Sequence, residues 1–209
     1  QGVRPRFVDG LRVTDRKSLD IAVAVLTGLI NKSLVASLLA LGGRAMGISG
    51  VDGAMLRAVV QDPELGHVGR VAEVNPGPIR TVLYADCIPV IAPVGVRGSN
   101  ESEMDGSLLN INADTAAGEI AAALHAERLV FLTDVEGVLD SSRRVIPRLT
   151  LRQARGLMRS RVVGGGMVPK LEACVSALKE VGETRIVDGR RSGALMDVLS
   201  GKTKGTRVG

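Results

Sequence analysis

The sequence predicts an α/β protein, and three observations carry that reading. After Ala45, short apolar runs alternate with segments of helical apolar spacing, the pattern of strands joined by helices. Aromatic residues are nearly absent: Phe7, Phe131 and Tyr84 are present, with no Trp. The core is therefore built from Val, Leu, Ile, Ala and Met, a composition suited to a parallel sheet covered by helices. Finally, Leu108-Leu109-Asn110-Ile111-Asn112-Ala113-Asp114 reads as a strand that breaks into an alanine-rich helix. Strand alternation places Asn110 and Asn112 on one face. Asp114 falls where free N–H groups and the helix dipole favour a carboxylate.

The elements follow in order. Thr14 is a plausible N-cap for a helix carrying Leu19, Val23, Leu26, Ile30, Leu34 and Leu38, stopped by Gly42-Gly43. Ala45–Ser49 reads as a strand, Gly50–Gly53 as a turn and Met55–Val60 as a second strand. Gly66–Val74 alternates like an edge or hairpin strand, and Asn75-Pro76-Gly77-Pro78 opens a helix to about Ala85. A buried strand covers Ile88–Val94, and Gly95–Asp105 reads as a surface loop. Beyond Asp114, Arg128–Leu132 is a strand leading into Thr133-Asp134-Val135-Glu136-Gly137-Val138-Leu139. A polar, glycine-containing loop after a strand is a usual place for a nucleotide contact.

Thr150 caps a helix to about Ser160. Val162-Val163-Gly164-Gly165-Gly166 then precedes a helix with Met167, Leu171, Cys174 and Leu178 on one stripe. Pro169 suits the first turn, so Lys170 projects near the positive end of that helix, the makings of an anion site. The spacing is not that of a P-loop. Thr184–Val187, a short helix from Gly193 and a strand after Gly205 complete the chain.

The bulk numbers narrow the functions. A chain of 209 residues holds one large domain or two small ones. The net charge of +5 is dispersed, without a basic stripe or interleaved aromatics. That disfavours nucleic acid and suits carboxylate or phosphate ligands. Cys87 and Cys174 lack metal-type spacing and read as buried thiols in a reducing cytoplasm, and His67 and His125 form no ligand set. No stretch of about 20 apolar residues is evident, so no membrane span is expected. Gln1-Gly2-Val3-Arg4 is neither a signal peptide nor a natural start.

Six stretches in one order carry a resemblance. Gly10-Leu11-Arg12-Val13-Thr14-Asp15, Asn110–Asp114, Leu132–Val138, Gly165–Lys170, Asp188-Gly189-Arg190 and Gly205-Thr206-Arg207 resemble the amino-acid kinase family, in its acetylglutamate-phosphorylating branch. The resemblance covers essentially the whole chain. It implies a three-layer αβα sandwich with a mainly parallel central sheet. It also implies a substrate lobe over 1–106 and a nucleotide lobe over 107–209. By that similarity Arg12 and Asn110 hold the amino-acid substrate, Asp114 orients catalytic lysine, and Lys170 neutralises charge on the transferred phosphoryl group. Asp134, Val135, Glu136, Gly137, Val138 and Leu139, with Val162, Val163 and Gly164, cradle the nucleotide.

The implied reaction moves the γ-phosphoryl group of ATP to the γ-carboxylate of N-acetyl-L-glutamate, with Mg²⁺ on the phosphates and no tightly bound cofactor. The implied assembly is a cytoplasmic homodimer, or a larger oligomer built from dimers. The family's Lys-x-Gly-Gly strand and His-Gly-Gly-Gly stretch are not in these residues. On that ground the chain is expected to be truncated at its N-terminus and, taken alone, inactive. The alternatives are a sister kinase acting on a carrier-bound aminoadipate or glutamate, or a non-catalytic binding fragment.

Overall fold

The computed structural model describes residues 7–8, 11–160, 162–202 and 204–209, without the side chains at 7, 8, 11 and 12. The chain forms two compact units, Gln1–Ala116 and Ala117–Gly209. The strand carrying Asn110, placed after the 106/107 division in the sequence reading, belongs to the first of them.

In the first unit, β1 (Phe7–Val8) and β2 (Leu11–Arg12) pair antiparallel. Helix α1 (Arg16–Val23) follows, continued by a π-helical segment, Ala24–Ile30, and by α2 (Asn31–Ala40). Asp15, rather than Thr14, caps α1, its carboxylate accepting from the Ser18 N–H at 2.7 Å. Thr14 is not available for that role because its backbone is bridged to Gly66.

The helical run Arg16–Ala40 spans 25 residues and holds an 18-residue window of mean hydropathy 1.8. By length and composition alone it is apolar enough to cross a membrane, a test that the core helix of a soluble protein also passes. Asn31 and Lys32 interrupt the apolar pattern. Leu29, Ile30, Leu34 and Leu39 are exposed along the run. Asn31 anchors it, donating from Nδ2 to the carbonyls of Ile48 at 3.2 Å and Val90 at 2.8 Å. Those carbonyls lie on β3 (Ala45–Ser49) and β6 (Ile88–Ala92), a parallel pair.

Four strands close into a barrel: β4 (Leu56–Val60), β5 (Val68–Val74), β8 (Leu108–Ile111) and β7 (Val94–Arg97). The β4/β5 and β7/β8 pairs are antiparallel, and the other two are parallel. Leu56, Ala58, Val94, Leu109 and Ile111 are buried in it. The structure extends a strand through Arg97, where the sequence suggested loop from Gly95. Gly95 is there because space is tight, not because the chain turns: a Cβ would come 2.7 Å from the Leu56 carbonyl. Helix α3 (Gly77–Tyr84) joins β5 to β6.

Helix α4 (Ala113–Ala123) leads into the second unit. There β10 (Arg148–Leu149), β12 (Thr206–Val208), β11 (Glu183–Asp188) and β9 (Arg128–Thr133) form one sheet in that spatial order. The β9/β11 and β10/β12 pairs are parallel, and β11/β12 is antiparallel. Helices α5 (Leu151–Arg159) and α6 (Met167–Ala177) contribute to its core, and α7 (Ala194–Leu199) precedes β12. Helix α5 starts on a capping box between Thr150 and Gln153. Leu149, Leu171, Cys174, Ile186 and Val208 are wholly or almost wholly buried together. Each large aliphatic side chain buried in this way contributes about 1.5–3 kcal/mol.

Candidate active site

In the first unit, Thr14, Ser18 and Asn110 share a cavity of about 260 Å³ with Ile21, Ala22, Val25 and Leu26. Strand β8 delivers Asn110, whose Nδ2 donates to Thr14 Oγ1 at 3.4 Å. The far wall comes from α1 and the π-helical segment, a departure that often marks a functional site. Hydroxyl, carboxamide and aliphatic wall together suit a small molecule with a polar end and a short carbon chain. Arg12 lies in β2, two residues before Thr14; its side chain and Gly10 are outside the described residues.

Asn112 does not share the role of Asn110. It lies past the end of β8, and its Oδ1 accepts from the N–H groups of Asp114 at 3.0 Å and Thr115 at 3.1 Å. It is the cap of α4, which leaves Asp114 half-buried in the first helical turn.

In the second unit, the parallel strands β9 and β11 end side by side, Thr133 opposite Asp188. The chain beyond β9 folds into a hairpin with Leu139 bridged to Val145. Thr206, fully buried on β12, fastens that hairpin. Its hydroxyl accepts from the Val138 N–H at 2.8 Å and donates to the Ile146 carbonyl at 2.7 Å. Gly137 has φ of 153° and leaves no room for a Cβ, which would meet Thr206 Oγ1 at 2.8 Å.

Alternation along the hairpin then sorts the side chains. Val135, Gly137 and Leu139 line a cavity of about 370 Å³, closed from the other side by Val162, Val163 and Met167, with Asp140, Ser141 and Arg143 at its polar rim. Val138 is fully buried in the core. Glu136 lines a separate cavity of about 320 Å³ with Asp188, Arg191 and Lys204. Asp134 is exposed.

The charges around Asp188 are paired. The Arg190 guanidinium and backbone N–H hold the Asp188 carboxyl down to about 2, and Asp188 in turn raises Arg190. Arg191 pairs with Asp197 at 2.7 Å and lowers that carboxyl too. Asp140 is lowered by N–H groups of its own turn, from Arg144 first and then Ser142.

Helix α6 begins without a side-chain cap, on Gly166. Among the described residues, its first N–H groups make long bonds, Met167 to Gly164 at 3.3 Å and Val168 to Gly165 at 3.4 Å. Pro169 has no N–H to satisfy. Lys170 is half-buried in this first turn, and Gly164, Gly165 and Gly166 all face open space. A positive helix end, an ammonium group and unobstructed backbone suit an anionic group such as phosphate.

Sequence reasoning passed over the wall formed by Ser18, Ile21, Ala22, Val25 and Leu26, which looked like one more helical stripe. The hydroxyls of Thr14 and Ser18, just ahead of the apolar Ile21-Ala22-Val23-Ala24-Val25-Leu26 run, were the available signal. It also quoted Thr206 without a role, and a threonine after Gly205 gives none until its buried position is known.

An α/β chain with a small cavity of three polar side chains on an aliphatic wall in one unit, and a hairpin cavity with a glycine-led lysine helix in the other, has the parts of a small-molecule phosphotransferase. It belongs to the amino acid kinase family, whose pattern matches residues 1–188. Among curated proteins, it is 44% identical to acetylglutamate kinase of Caldanaerobacter subterraneus subsp. tengcongensis over 215 residues, covering 100% of this chain and 70% of that protein. It is also 44% identical to acetylglutamate kinase of Dehalococcoides mccartyi over 207 residues, covering 99% of this chain and 76% of that one. A crystal structure of a Streptococcus mutans UA159 protein superposes with a TM-score of 0.84 at 28% identity, covering 99% of this chain and 77% of that one.

Proposed function

We propose that the protein catalyses ATP-dependent phosphorylation of the γ-carboxylate of N-acetyl-L-glutamate, a step of arginine biosynthesis, yielding N-acetylglutamyl 5-phosphate and ADP. The observation that carries this is identity of 42–44% to acetylglutamate kinases along essentially the whole chain. A γ-carboxylate oxygen attacks the γ-phosphorus, and the bond to the β–γ bridging oxygen breaks, leaving ADP. The nucleophile is already ionised at neutral pH, so no general base is required. The chemistry is mainly positioning and charge stabilisation.

In this reading the cavity at Asn110 takes the amino-acid substrate. Arg12 is assigned its α-carboxylate, because a guanidinium pairs with a carboxylate through two parallel bonds. The hairpin cavity takes adenine and ribose; apolar Val135, Leu139, Val162 and Val163 support that assignment. Lys170 balances charge on the phosphoryl group in flight, and Asp114 orients lysine. Mg²⁺ enters with ATP as the substrate complex, bound chiefly by phosphate and water. The exposed apolar face of Arg16–Ala40 serves as the homodimer contact in a cytoplasmic enzyme.

The test is coupled ADP release by the full-length protein with N-acetylglutamate, glutamate and a carrier-linked glutamate or aminoadipate as acceptors. Selective turnover of N-acetylglutamate is expected. Release driven by the carrier-linked acceptor alone, or by none of them, overturns the assignment.

A further inference from the structure

Around Asn110 the backbone and side chains form a closed circuit. The Thr14 carbonyl accepts from the His67 N–H at 2.8 Å, the His67 carbonyl accepts from the Asn110 N–H at 2.9 Å, and Asn110 Nδ2 returns to Thr14 Oγ1 at 3.4 Å. A fourth bond, Thr14 N–H to the Leu65 carbonyl at 2.9 Å, fixes the other side of Thr14. Thr14 is 2% exposed. The turn that makes this possible is Leu65-Gly66-His67. Gly66 has φ of +68°, and a Cβ there would approach the Thr14 carbonyl to 2.5 Å, so only glycine lets the two segments come this close.

We propose that Thr14 is a positioning residue for the amino-acid substrate, acting through Asn110. A free asparagine side chain samples several rotamers, each presenting its amide in a different direction. Held at its Nδ2 end by the Thr14 hydroxyl, the Asn110 side chain is placed before substrate arrives. Its remaining amide hydrogen and its oxygen then present a fixed donor and acceptor to the cavity. Such preorganisation lowers the ordering cost of binding. Thr14 also stands two residues after Arg12, so the same circuit holds the end of the strand assigned to the substrate carboxylate. The inference rests on the acetylglutamate reading of this cavity and adds to it the residue that orients the ligand-binding amide.

The experiment is steady-state kinetics of the full-length Thr14→Val, Thr14→Ser, Asn110→Ala and Thr14→Val/Asn110→Ala proteins, with thermal unfolding run alongside. Thr14→Val keeps the shape and removes the hydroxyl. It is expected to raise the KM for N-acetylglutamate roughly tenfold, with kcat and the KM for ATP moving far less. Thr14→Ser restores the hydroxyl and recovers most of that loss. In the Asn110→Ala background, Thr14→Val adds little, because the two act as one unit.

A Thr14→Val enzyme with unaltered KM overturns the proposal, as does a Thr14→Val effect that adds fully to that of Asn110→Ala. If Thr14→Val unfolds early, Thr14→Ala beside Thr14→Ser decides. A KM for N-acetylglutamate raised in Thr14→Ala while Thr14→Ser stays within about threefold of the parent supports the role, and equal KM values in the two overturn it. A parent protein that does not turn over N-acetylglutamate fails the functional reading instead, and the two failures are separated by that control.

Discussion

Helix α4 begins after strand β8 and helix α6 after the glycine loop that follows α5, and they begin in opposite ways. Helix α4 is closed by Asn112, whose side chain accepts two of its first N–H groups. Helix α6 starts from three glycines with no side-chain cap and long first bonds. A capped end is finished by the protein itself and has little to offer a ligand. An uncapped end has N–H groups and a dipole in reserve, at a cost in stability that ligand binding offsets. The chemistry on the first turns differs to match: Asp114 on the capped helix, Lys170 on the open one.

The largest effect that sharpens this contrast is at Lys170. Lys170→Ala should lower kcat by on the order of 10²–10³-fold while the KM for ATP changes much less, since the charge is used mainly in the transition state. Comparable losses in kcat and in ATP affinity would instead make Lys170 a ground-state phosphate contact. Next is the closed end: Asn112→Ala should cost about 1 kcal/mol in urea unfolding. A cost near zero would mean that the cap of α4 is dispensable, and the contrast would lose its first half.

A glycine pair probes the open end. Gly165 has φ of +54° while Gly166 has φ of −66°, and neither would crowd a neighbour with a Cβ. Gly165→Ala should therefore destabilise by roughly 1–2 kcal/mol, and Gly166→Ala should be neutral or stabilise by about 0.4–1 kcal/mol. Equal effects would show that the glycine run is free to rearrange.

The smallest effect is electrostatic. The Asp188 carboxyl, held at about 2 against an ordinary 3.8, supplies stability that is present above pH 3.8 and lost as pH falls toward 2. Asp188→Asn should flatten the pH dependence of the unfolding midpoint between about pH 4 and 2, and an unchanged slope would argue that the Arg190 pair does not persist in solution.

Much of this was legible from residue types. Thr150, the Met167-Leu171-Cys174 stripe and the apolar run Arg128–Leu132 fix their elements by local rules, and the structure has them in place. Where local rules compete with long-range packing, the reading slipped. Thr14 has the chemistry of a cap, but a backbone bridge to Gly66, 52 positions away, claims it first. Gly95 has the chemistry of a loop, but it serves close packing inside a closed barrel. The roles of Asn110 and Asn112 diverge because the strand stops at Ile111, one residue short of Asn112, which alternation alone does not reveal.

The Thr206 hydroxyl has a consequence for the order of assembly. Strand β12 lies between β10 and β11, and its one buried oxygen latches the hairpin to partners 68 and 60 residues earlier in the chain. That latch is a long-range contact, so it waits on the pairing of distant strands while the helical turns form locally.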